Sequence, residues 1–145
     1  MKQLKAKDIM TANPRMIGPF QTVKEAAILM KNIDCGALPV GELGHVAGII
    51  TDRDIVLRVI ATGGDPDSIH VRDVMTKKHY SCTEEDNLET VAEKMRAHNI
   101  RRLLVSKNNA ISGIISSDCL LRKPHDKKVS ECLLHKLIDE TSRAA

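Results

Sequence analysis

The sequence repeats itself at one constant offset. Asp8–Thr11, which reads Asp-Ile-Met-Thr, aligns with Asp73–Thr76, which reads Asp-Val-Met-Thr, a shift of 73 − 8 = 65 residues. The same shift places Gly48–Thr51 on Gly113–Ser116 without any insertion. Self-similarity of this kind predicts two copies of one supersecondary unit, each too small to bury a secure core alone. The duplication therefore constrains the architecture more strongly than any local signal.

Each copy carries the same order of local signals. Apolar residues at the i, i+3, i+4, i+7 spacing predict an amphipathic helix. Two short apolar runs separated by a turn signal then predict a hairpin, which leads into a second helix. A short strand before the first helix completes a β-α-β-β-α unit. The apolar helix positions are Val23, Ala26, Ala27 and Met30 in the first copy and Leu88, Val91, Ala92 and Met95 in the second.

Capping residues set the boundaries of these elements. Thr22 and Glu25 form a capping box at the start of one helix, and Asn87 takes the N-cap position of its counterpart. The second helix of the first copy is expected over residues 52–61, and the short strands near 15–17 and 80–82. Ser130 is expected to cap a final helix whose apolar stripe packs either on its own chain or on a second chain. The stripe consists of Leu133, Leu134, Leu137 and Ile138.

The expected fold class is α/β (α+β), because helices and strands alternate within each copy. Two tandem β-α-β-β-α repeats are expected to pack sheet to sheet with pseudo-twofold symmetry, followed by a C-terminal helix. The first repeat is predicted at residues 5–63, a linker at 64–69, the second repeat at 70–123 and a C-terminal extension at 124–145.

Composition excludes several classes of function. The chain is 42% hydrophobic and 28% charged, as is typical of a soluble globular domain, but only Phe20 and Tyr80 are aromatic. Few rings and a net charge of +3 argue against binding to nucleic acid or to an anionic membrane. The four cysteines form no C-x-x-C pair, so no metal site is expected. No signal peptide and no span-length apolar run is recognised, which predicts a cytoplasmic protein.

The ordered set of motifs, found twice at a constant shift, resembles the cystathionine β-synthase (CBS) domain family. The set comprises an Asp-x-Met-Thr opening, a helix, a Leu-Pro-Val type strand and a Gly-Ile-Ile-Thr/Ser run entering a helix, and it spans roughly residues 5 to 123. The resemblance implies a tandem CBS pair, or Bateman module, with two clefts between its repeats. Such clefts often bind AMP, ATP or related adenosyl ligands, and such pairs usually form disc-shaped homodimers.

The first cleft is expected to use Thr51 and Asp54, where a strand ends and a helix begins. In the family, the Asp of a Thr/Ser-x-x-Asp motif binds the ribose hydroxyls, and a carboxylate suits a diol because it only accepts hydrogen bonds. A helix start also favours an anion, and the Thr51 hydroxyl could add a donor. The alternative interpretation is a capping box with Asp in place of Glu. Both interpretations stay open at this point.

The resemblance also implies partners for that cleft from the second repeat. The expected ligand-binding set adds His79, Tyr80, Ile100, Arg101 and Arg102 from the second repeat and Ile49 from the first. Arginines at a cleft mouth suit phosphate, and Tyr80 could contact the adenine ring. The alternative for the two arginines is simple exposure to solvent.

The second cleft departs from the family pattern. Cys119 stands where the constant shift requires the ribose Asp, and Asp118 arrives one position early, about 100° around the helix. Ser116 occupies the Thr position, Gly36 the position of Arg101, and Arg15 lies on the short strand expected near that cleft. We therefore expect one competent site and one degraded or empty site.

The resemblance implies a regulatory module that binds AMP, ADP or ATP and requires no cofactor, and the sequence predicts no catalytic residues. None of the common nucleophile, phosphate-loop or zinc-protease motifs occurs. No attached effector domain is expected, so the predicted output is to an unidentified protein target through the conformation of a homodimer. The alternative from another class is a ligand-free scaffold for dimerisation or protein docking.

Overall fold

A computed structural model describes residues 3–42, 45–123 and 127–138 of the chain. Its contacts divide the chain into two units. The first-repeat unit comprises Pro14–His79, and the second-repeat unit comprises the described residues up to Asn13 together with those from Tyr80 onward. Each unit contains the hairpin of one sequence repeat and its own apolar core.

The first-repeat unit is a two-stranded hairpin packed against helices. Its elements are α2 (Val23–Ile33), β2 (Ala37–Glu42), β3 (His45–Thr51), α3 (Asp52–Ile55), a π-helical turn (Val56–Ile60) and α4 (Val71–Val74). Strands β2 and β3 pair antiparallel, with Leu38 opposite Ile50. Both side chains are buried in the core beside Val23, Ala26 and Met30 on one face of α2, as the apolar spacing predicts.

The second-repeat unit is built on a four-stranded sheet. Its elements are α1 (Ala6–Ile9), β1 (Thr11–Ala12), β4 (Ser81–Thr83), α5 (Leu88–His98), β5 (Arg102–Lys107), β6 (Ala110–Ser116), α6 (Ser117–Arg122) and α7 (Lys127–Ile138). The strand order is β1-β6-β5-β4, with only the β4–β5 pair parallel. Asn108 and Asn109 close the β5–β6 hairpin with φ values of 51° and 64°, a left-handed conformation that asparagine tolerates.

The Asp-x-Met-Thr segment of each repeat packs in the unit that holds the hairpin of the other repeat. Thr76 exchanges two backbone hydrogen bonds with Ile49, of 2.9 and 3.0 Å. Thr11 pairs with Ile114 at the equivalent place in the second-repeat unit. The units defined by contacts therefore differ from the sequence repeats in the location of these two segments.

The mixed α/β class, the duplicated unit and the C-terminal helix are confirmed. The capping box of α2 is formed, with Glu25 N–H donating to Thr22 Oγ1 at 3.1 Å and Thr22 N–H donating to Glu25 Oε2 at 3.3 Å. Asn87 caps α5 by accepting the Thr90 N–H at 2.8 Å. Both helices end at a left-handed residue, Asp34 or Asn99, which occupy equivalent positions.

Two boundaries differ from prediction in the first-repeat unit. The helix expected over 52–61 changes after Ile55 into a π-helical turn, in which the Ala61 N–H bonds to the Val56 carbonyl five residues back at 2.9 Å. The strand expected near 15–17 is reduced to a single bridge between Ile17 and Val40. In the second repeat the Leu104 N–H donates to the Tyr80 carbonyl at 3.2 Å, whereas the counterpart of Leu104 is Pro39, which has no N–H to donate to Arg15. The counterpart strand expected near 80–82 forms at Ser81–Thr83.

The start of the final helix also differs from prediction. Helix α7 begins at Lys127, so Ser130 lies inside it and is not its N-cap; the Ser130 hydroxyl donates to the Leu121 carbonyl at 3.2 Å. Leu133 and Leu137 are buried in the core of the second-repeat unit, whereas Leu134 and Ile138 are exposed. Helix α7 thus packs on its own unit through half of the predicted stripe.

Candidate functional site

The start of α3 holds Asp54, the one buried charged side chain among the described residues, with 9% exposure. Thr51 is the N-cap of α3. Its hydroxyl accepts the Asp54 N–H at 3.1 Å, and its own N–H donates to Asp54 Oδ2 at 3.0 Å. The capping box that competes with the ligand interpretation is therefore formed, and it uses one carboxylate oxygen.

The other oxygen of Asp54 has only long contacts. The Thr76 hydroxyl lies 3.5 Å from Oδ1, at the outer limit of a hydrogen bond, and Arg58 Nη2 lies 3.8 Å from it. Oδ1 thus keeps the capacity to accept a hydroxyl donor, because a carboxylate oxygen has two lone pairs. Capping and ligand binding are compatible at this residue, since each function can use a different oxygen.

Ile49 and His79 complete the predicted set within the first-repeat unit. Ile49 is partly exposed near the end of β3 and is bonded to Thr76. The His79 ring nitrogen Nδ1 lies 3.1 Å from the Lys77 carbonyl. The structure adds Thr76 and Arg58 to this neighbourhood, which sequence reasoning missed. The recurrence of Thr at the end of Asp-x-Met-Thr and of a basic residue at 58 and 123 was the available signal.

The remaining four predicted residues belong to the second-repeat unit. Tyr80 stacks on His98, with ring centroids 3.6 Å apart and planes inclined by 14°. Ile100 packs partly against the core, and Arg101, whose carbonyl accepts the Ser117 N–H at 2.8 Å, is exposed. Arg102 begins β5 opposite Ser116. Tyr80 is therefore already held by a neighbouring ring, and His98 is a further residue that sequence reasoning missed.

The predicted second site lacks a carboxylate at its key position. Ser116 caps α6 by accepting the Cys119 N–H at 3.1 Å, the same register as Thr51 and Asp54. No register shift brings Asp118 into the place of Cys119, since the Asp118 carboxylate instead pairs with Arg122 at 2.9 Å on the exposed surface. In the first-repeat unit Arg15 is exposed, and the Gly36 carbonyl accepts the Asp52 N–H at 2.9 Å.

A cavity of about 430 Å³ lies elsewhere in the first-repeat unit. None of the predicted ligand-binding residues lines it. Phe20 is 61% exposed there, with the Arg72 guanidinium 4.9 Å from its ring centre. The lining residues are Pro19, Phe20, Arg72, Asp73, Met75 and Lys77.

Metal-binding and membrane-spanning features are not found in the described part of the chain. No group of three or more His, Cys, Asp or Glu side chains there is placed to hold a metal ion. Among the same residues, no helix has the length and apolar character needed to cross a bilayer.

The chain belongs to the CBS domain family. Residues 6–61 and 71–126 each match the family model of the CBS domain, so the chain holds two such domains in tandem. CBS-domain proteins are in general regulatory and not catalytic, and the pair defines the class as a regulatory ligand-binding module.

Individual relatives agree with this assignment. The CBS domain-containing protein YhcV of Bacillus subtilis is 41% identical over 110 residues, covering 76% of this chain and 78% of the relative. The hexameric CBS-CP12 protein from bloom-forming cyanobacteria is 35% identical with a TM-score of 0.78, covering 86% of this chain and 74% of that one. The CBS domain pair of protein MJ0100 is 26% identical with a TM-score of 0.75, covering 84% and 96%; its structure contains 5′-methylthioadenosine and S-adenosyl-L-methionine.

Proposed function

We propose that this CBS pair senses an adenine nucleotide, of the AMP, ADP or ATP type, and that Asp54 binds the ribose. The observation that carries the proposal is that the two oxygens of the Asp54 carboxylate have different surroundings. Oδ2 accepts the Thr51 N–H at 3.0 Å, which fixes the side chain, while Oδ1 has no hydrogen bond or ion pair shorter than 3.5 Å among the described residues. A buried carboxylate that is oriented in advance and still able to accept suits a pair of sugar hydroxyls.

The internal duplication supports a single site. Ser116 and Cys119 reproduce the cap of Thr51 and Asp54 but offer a thiol where the first copy has a carboxylate. Capping alone therefore does not require an acid at this position. The acid in the first copy calls for a further role, and ribose binding supplies one.

The chemistry of a relative supports the ligand class. Both molecules in the MJ0100 structure contain adenosine, and their shared part is the nucleoside that Asp54 would bind. The roles of Tyr80 at an adenine ring and of Arg101 or Arg102 at the phosphates stay predictions from the family resemblance.

Calorimetric titration of the purified chain with AMP, ADP, ATP, NAD and S-adenosylmethionine tests this proposal. We expect at least one adenine nucleotide to bind, and Asp54→Asn to weaken it by about tenfold or more, since the hydrogen bonds are to a charged group. Cys119→Ala is the matched control from the other copy and should bind as the wild type does. If no ligand binds below millimolar concentration, the sensor proposal is wrong; if Asp54→Asn binds normally, the site lies elsewhere.

We further propose that the active assembly is a homodimer formed through the first-repeat unit. The helices of that unit expose Ile28, Val56, Leu57 and Ile60, each between 47% and 59% accessible. Half-exposed aliphatic side chains leave on the order of 100 Å² each, so together they offer roughly 300–400 Å² of apolar surface. That area is a suitable apolar centre for an interface of about 800 Å² per partner.

The second-repeat unit indicates what covers such a surface. Glu93 and Leu121, the counterparts of Ile28 and Val56 at the shift of 65, both contact α7. Lys136 bonds to Glu93 at 2.9 Å, and Ser130 bonds to the Leu121 carbonyl. One helical face is thus covered by the chain itself, and the equivalent face of the first-repeat unit is open. We propose that a second copy covers it through a self-complementary contact.

The regulated target is proposed to be a separate protein that recognises the nucleotide-dependent conformation of this dimer. The exposed helical face also fits the alternative of a ligand-free scaffold, which the calorimetric titration distinguishes. The cytoplasmic localisation stays a prediction.

A further inference from the structure

Arg58 joins two features that the sequence keeps apart. Its Nη1 donates to the Val74 carbonyl at 2.8 Å and to the Met75 carbonyl at 3.2 Å, and its Nη2 lies 3.8 Å from Asp54 Oδ1. One guanidinium therefore contacts both the candidate ribose carboxylate and the end of α4. Helix α4 belongs to the Asp-Val-Met-Thr segment, which comes from the second sequence repeat but packs in the first-repeat unit.

The other copy contains half of this arrangement. Lys123, at the shift of 65 from Arg58, donates from Nζ to the Ile9 carbonyl at 2.8 Å, and Ile9 is the counterpart of Val74. In both units a cation therefore holds the Asp-x-Met-Thr segment that comes from the other repeat, called here the exchanged segment. In the second-repeat unit the cation is an ammonium, and Cys119 stands in the position of Asp54, so the counterpart of the Asp54 carboxylate is missing. The guanidinium presents Nη1 and Nη2 in a rigid fork with fixed separation, whereas an ammonium is a single point charge.

We infer that Arg58 is a positioning residue that couples the Asp54 carboxylate to the Val71–Thr76 segment, so that occupation of Asp54 changes the stability of that segment. The statement about occupation rests on the proposed function; the link between Asp54 and the segment does not. Oδ1 faces both Arg58 and the hydroxyl of Thr76, which is itself in the segment. A hydroxyl ligand that bonds to Oδ1 would act on the same oxygen through which the carboxylate contacts the segment.

Arg58 makes two kinds of contact, one with the Val74 carbonyl and one with Asp54, and a substitution can separate them. Lys123 in the other copy shows which cation makes only the first kind of contact. Arg58→Lys reproduces the anchor found at Lys123 and should keep the bond to the Val74 carbonyl, but a single ammonium does not also reach Asp54. Arg58→Ala removes both contacts. Lys123→Ala is the matched control, because it releases the equivalent segment in the unit where Cys119 replaces the carboxylate of Asp54.

Amide hydrogen exchange in the ligand-free protein measures how strongly Arg58 stabilises the Val71–Thr76 segment. The Met75 N–H bonds to the Val71 carbonyl and the Thr76 N–H to the Ile49 carbonyl, each at 2.9 Å. Arg58→Ala should accelerate exchange at both amides by about threefold to tenfold, the size expected for the loss of one hydrogen bond. Arg58→Lys should stay near the wild type, and Lys123→Ala should instead accelerate the Met10 amide. Unchanged exchange at Met75 and Thr76 in Arg58→Ala would overturn the inference.

A double-mutant cycle tests the coupling itself without any ligand. Asp54→Asn keeps an acceptor for the Thr51 N–H but removes the charge that faces Arg58. We expect Asp54→Asn to change exchange at Thr76 in the wild type and to change it at least about twofold less in the Arg58→Lys background. Additive effects of the two substitutions would show that Arg58 and Asp54 act independently, and the inference would be wrong.

The effect of ligand is tested by hydrogen exchange in the presence of AMP, ADP or ATP. A nucleotide that binds should slow exchange at Thr76 in the wild type, and the slowing should be at least about threefold smaller in Arg58→Lys. Equal protection in both proteins would overturn the coupling to occupation. If the wild type binds none of the three nucleotides, the proposed function and the statement about occupation fail together, while the double-mutant cycle still decides whether Arg58 couples Asp54 to the segment.

Discussion

Gly48 faces the carbonyl oxygen of Thr76 so closely that an added Cβ would lie 2.7 Å from that oxygen. The contact explains why the first Gly-Ile-Ile motif begins with glycine: the exchanged segment of the other repeat approaches its backbone. Gly113 is the counterpart, and there a Cβ would meet the Met10 sulfur at 2.4 Å and the Thr11 carbonyl oxygen at 3.0 Å. The glycines and the Asp-x-Met-Thr segments are therefore complementary parts of one packing arrangement.

Gly48→Ala should lower the free energy of unfolding by about 2–3 kcal/mol, because the group in its way is a backbone carbonyl that is held by a bridge. Gly113→Ala should cost less, because its closest neighbour is a flexible methionine side chain. Chemical denaturation measures both values. Gly18→Ala is the control, since its Cβ would meet only Gln21 atoms at 3.4 Å or more. Equal stability of Gly48→Ala and Gly18→Ala would contradict this account.

The amino-terminal segment should lose an electrostatic contribution to its stability in acid. Hydrogen bonds from Lys5 and Lys7 lower the pKa of Glu85 from 4.5 to about 2. A carboxyl group with a lowered folded-state pKa stabilises the fold above its unfolded value and loses that effect as the pH falls through the folded value. The loss is therefore expected between pH 4.5 and about 2.

Denaturation of the wild type and of Glu85→Gln as a function of pH tests this prediction. The stability difference between the two should be present at neutral pH, should shrink across the acidic window and should be reduced by salt, because the pair is exposed. A difference that is independent of pH would show that Glu85 contributes by packing instead.

The cysteines should differ sharply in reactivity. Burial raises the pKa of the Cys82 thiol from 9.0 to about 11, whereas Cys132 is exposed on α7. Because the thiolate is the reactive form, Cys82 should react with a maleimide at pH 8 on the order of a hundredfold more slowly than Cys132. Mass spectrometry of the labelled native protein measures this ratio. The difference should disappear in denaturant, and comparable native rates would mean that β4 opens readily.

Charged substitutions on the open helical face should dissociate the proposed dimer. Val56→Glu and Ile60→Glu each place a charge on a position that is more than half exposed, so they should reduce association without lowering the stability of the single chain. Light scattering over a concentration series measures the mass. Leu134→Glu, on the exposed side of α7, is the matched control and should leave the mass unchanged. A monomeric wild type, or dimeric variants, would rule out this interface.

Much of the local structure could be predicted from the sequence, because it depends on short-range contacts. The two amphipathic helices α2 and α5 formed as expected, with Thr22 and Asn87 as their N-caps. The two predicted hairpins formed as well. The change to a π-helical turn after Ile55 and the start of α7 before Ser130 did not follow the prediction. Periodicity alone does not distinguish helix types, and a serine can cap a helix or bond within it.

The residues of the candidate site could also be predicted only in part from the sequence. Thr51 and Asp54 were identified from their spacing, and their capping geometry follows from the four residues involved. Thr76 and Arg58 were not identified, because their relation to Asp54 depends on where the second Asp-x-Met-Thr segment packs. That location is a contact between residues far apart in the chain, and no local pattern encodes it.

The sequence by itself determined that this protein is a duplicated α/β unit of the CBS type. It also determined that the first copy has Asp54 where the second has Cys119. These features are written in residue identity and spacing at a shift of 65. Only the tertiary structure decided that each opening segment packs in the unit of the other repeat, that Arg58 contacts both Asp54 and that segment, and that α7 covers one helical face and leaves its counterpart open. The physical reason is that packing joins surfaces by shape and hydrogen-bond geometry across long stretches of chain, whereas a sequence pattern reports only what neighbouring residues favour.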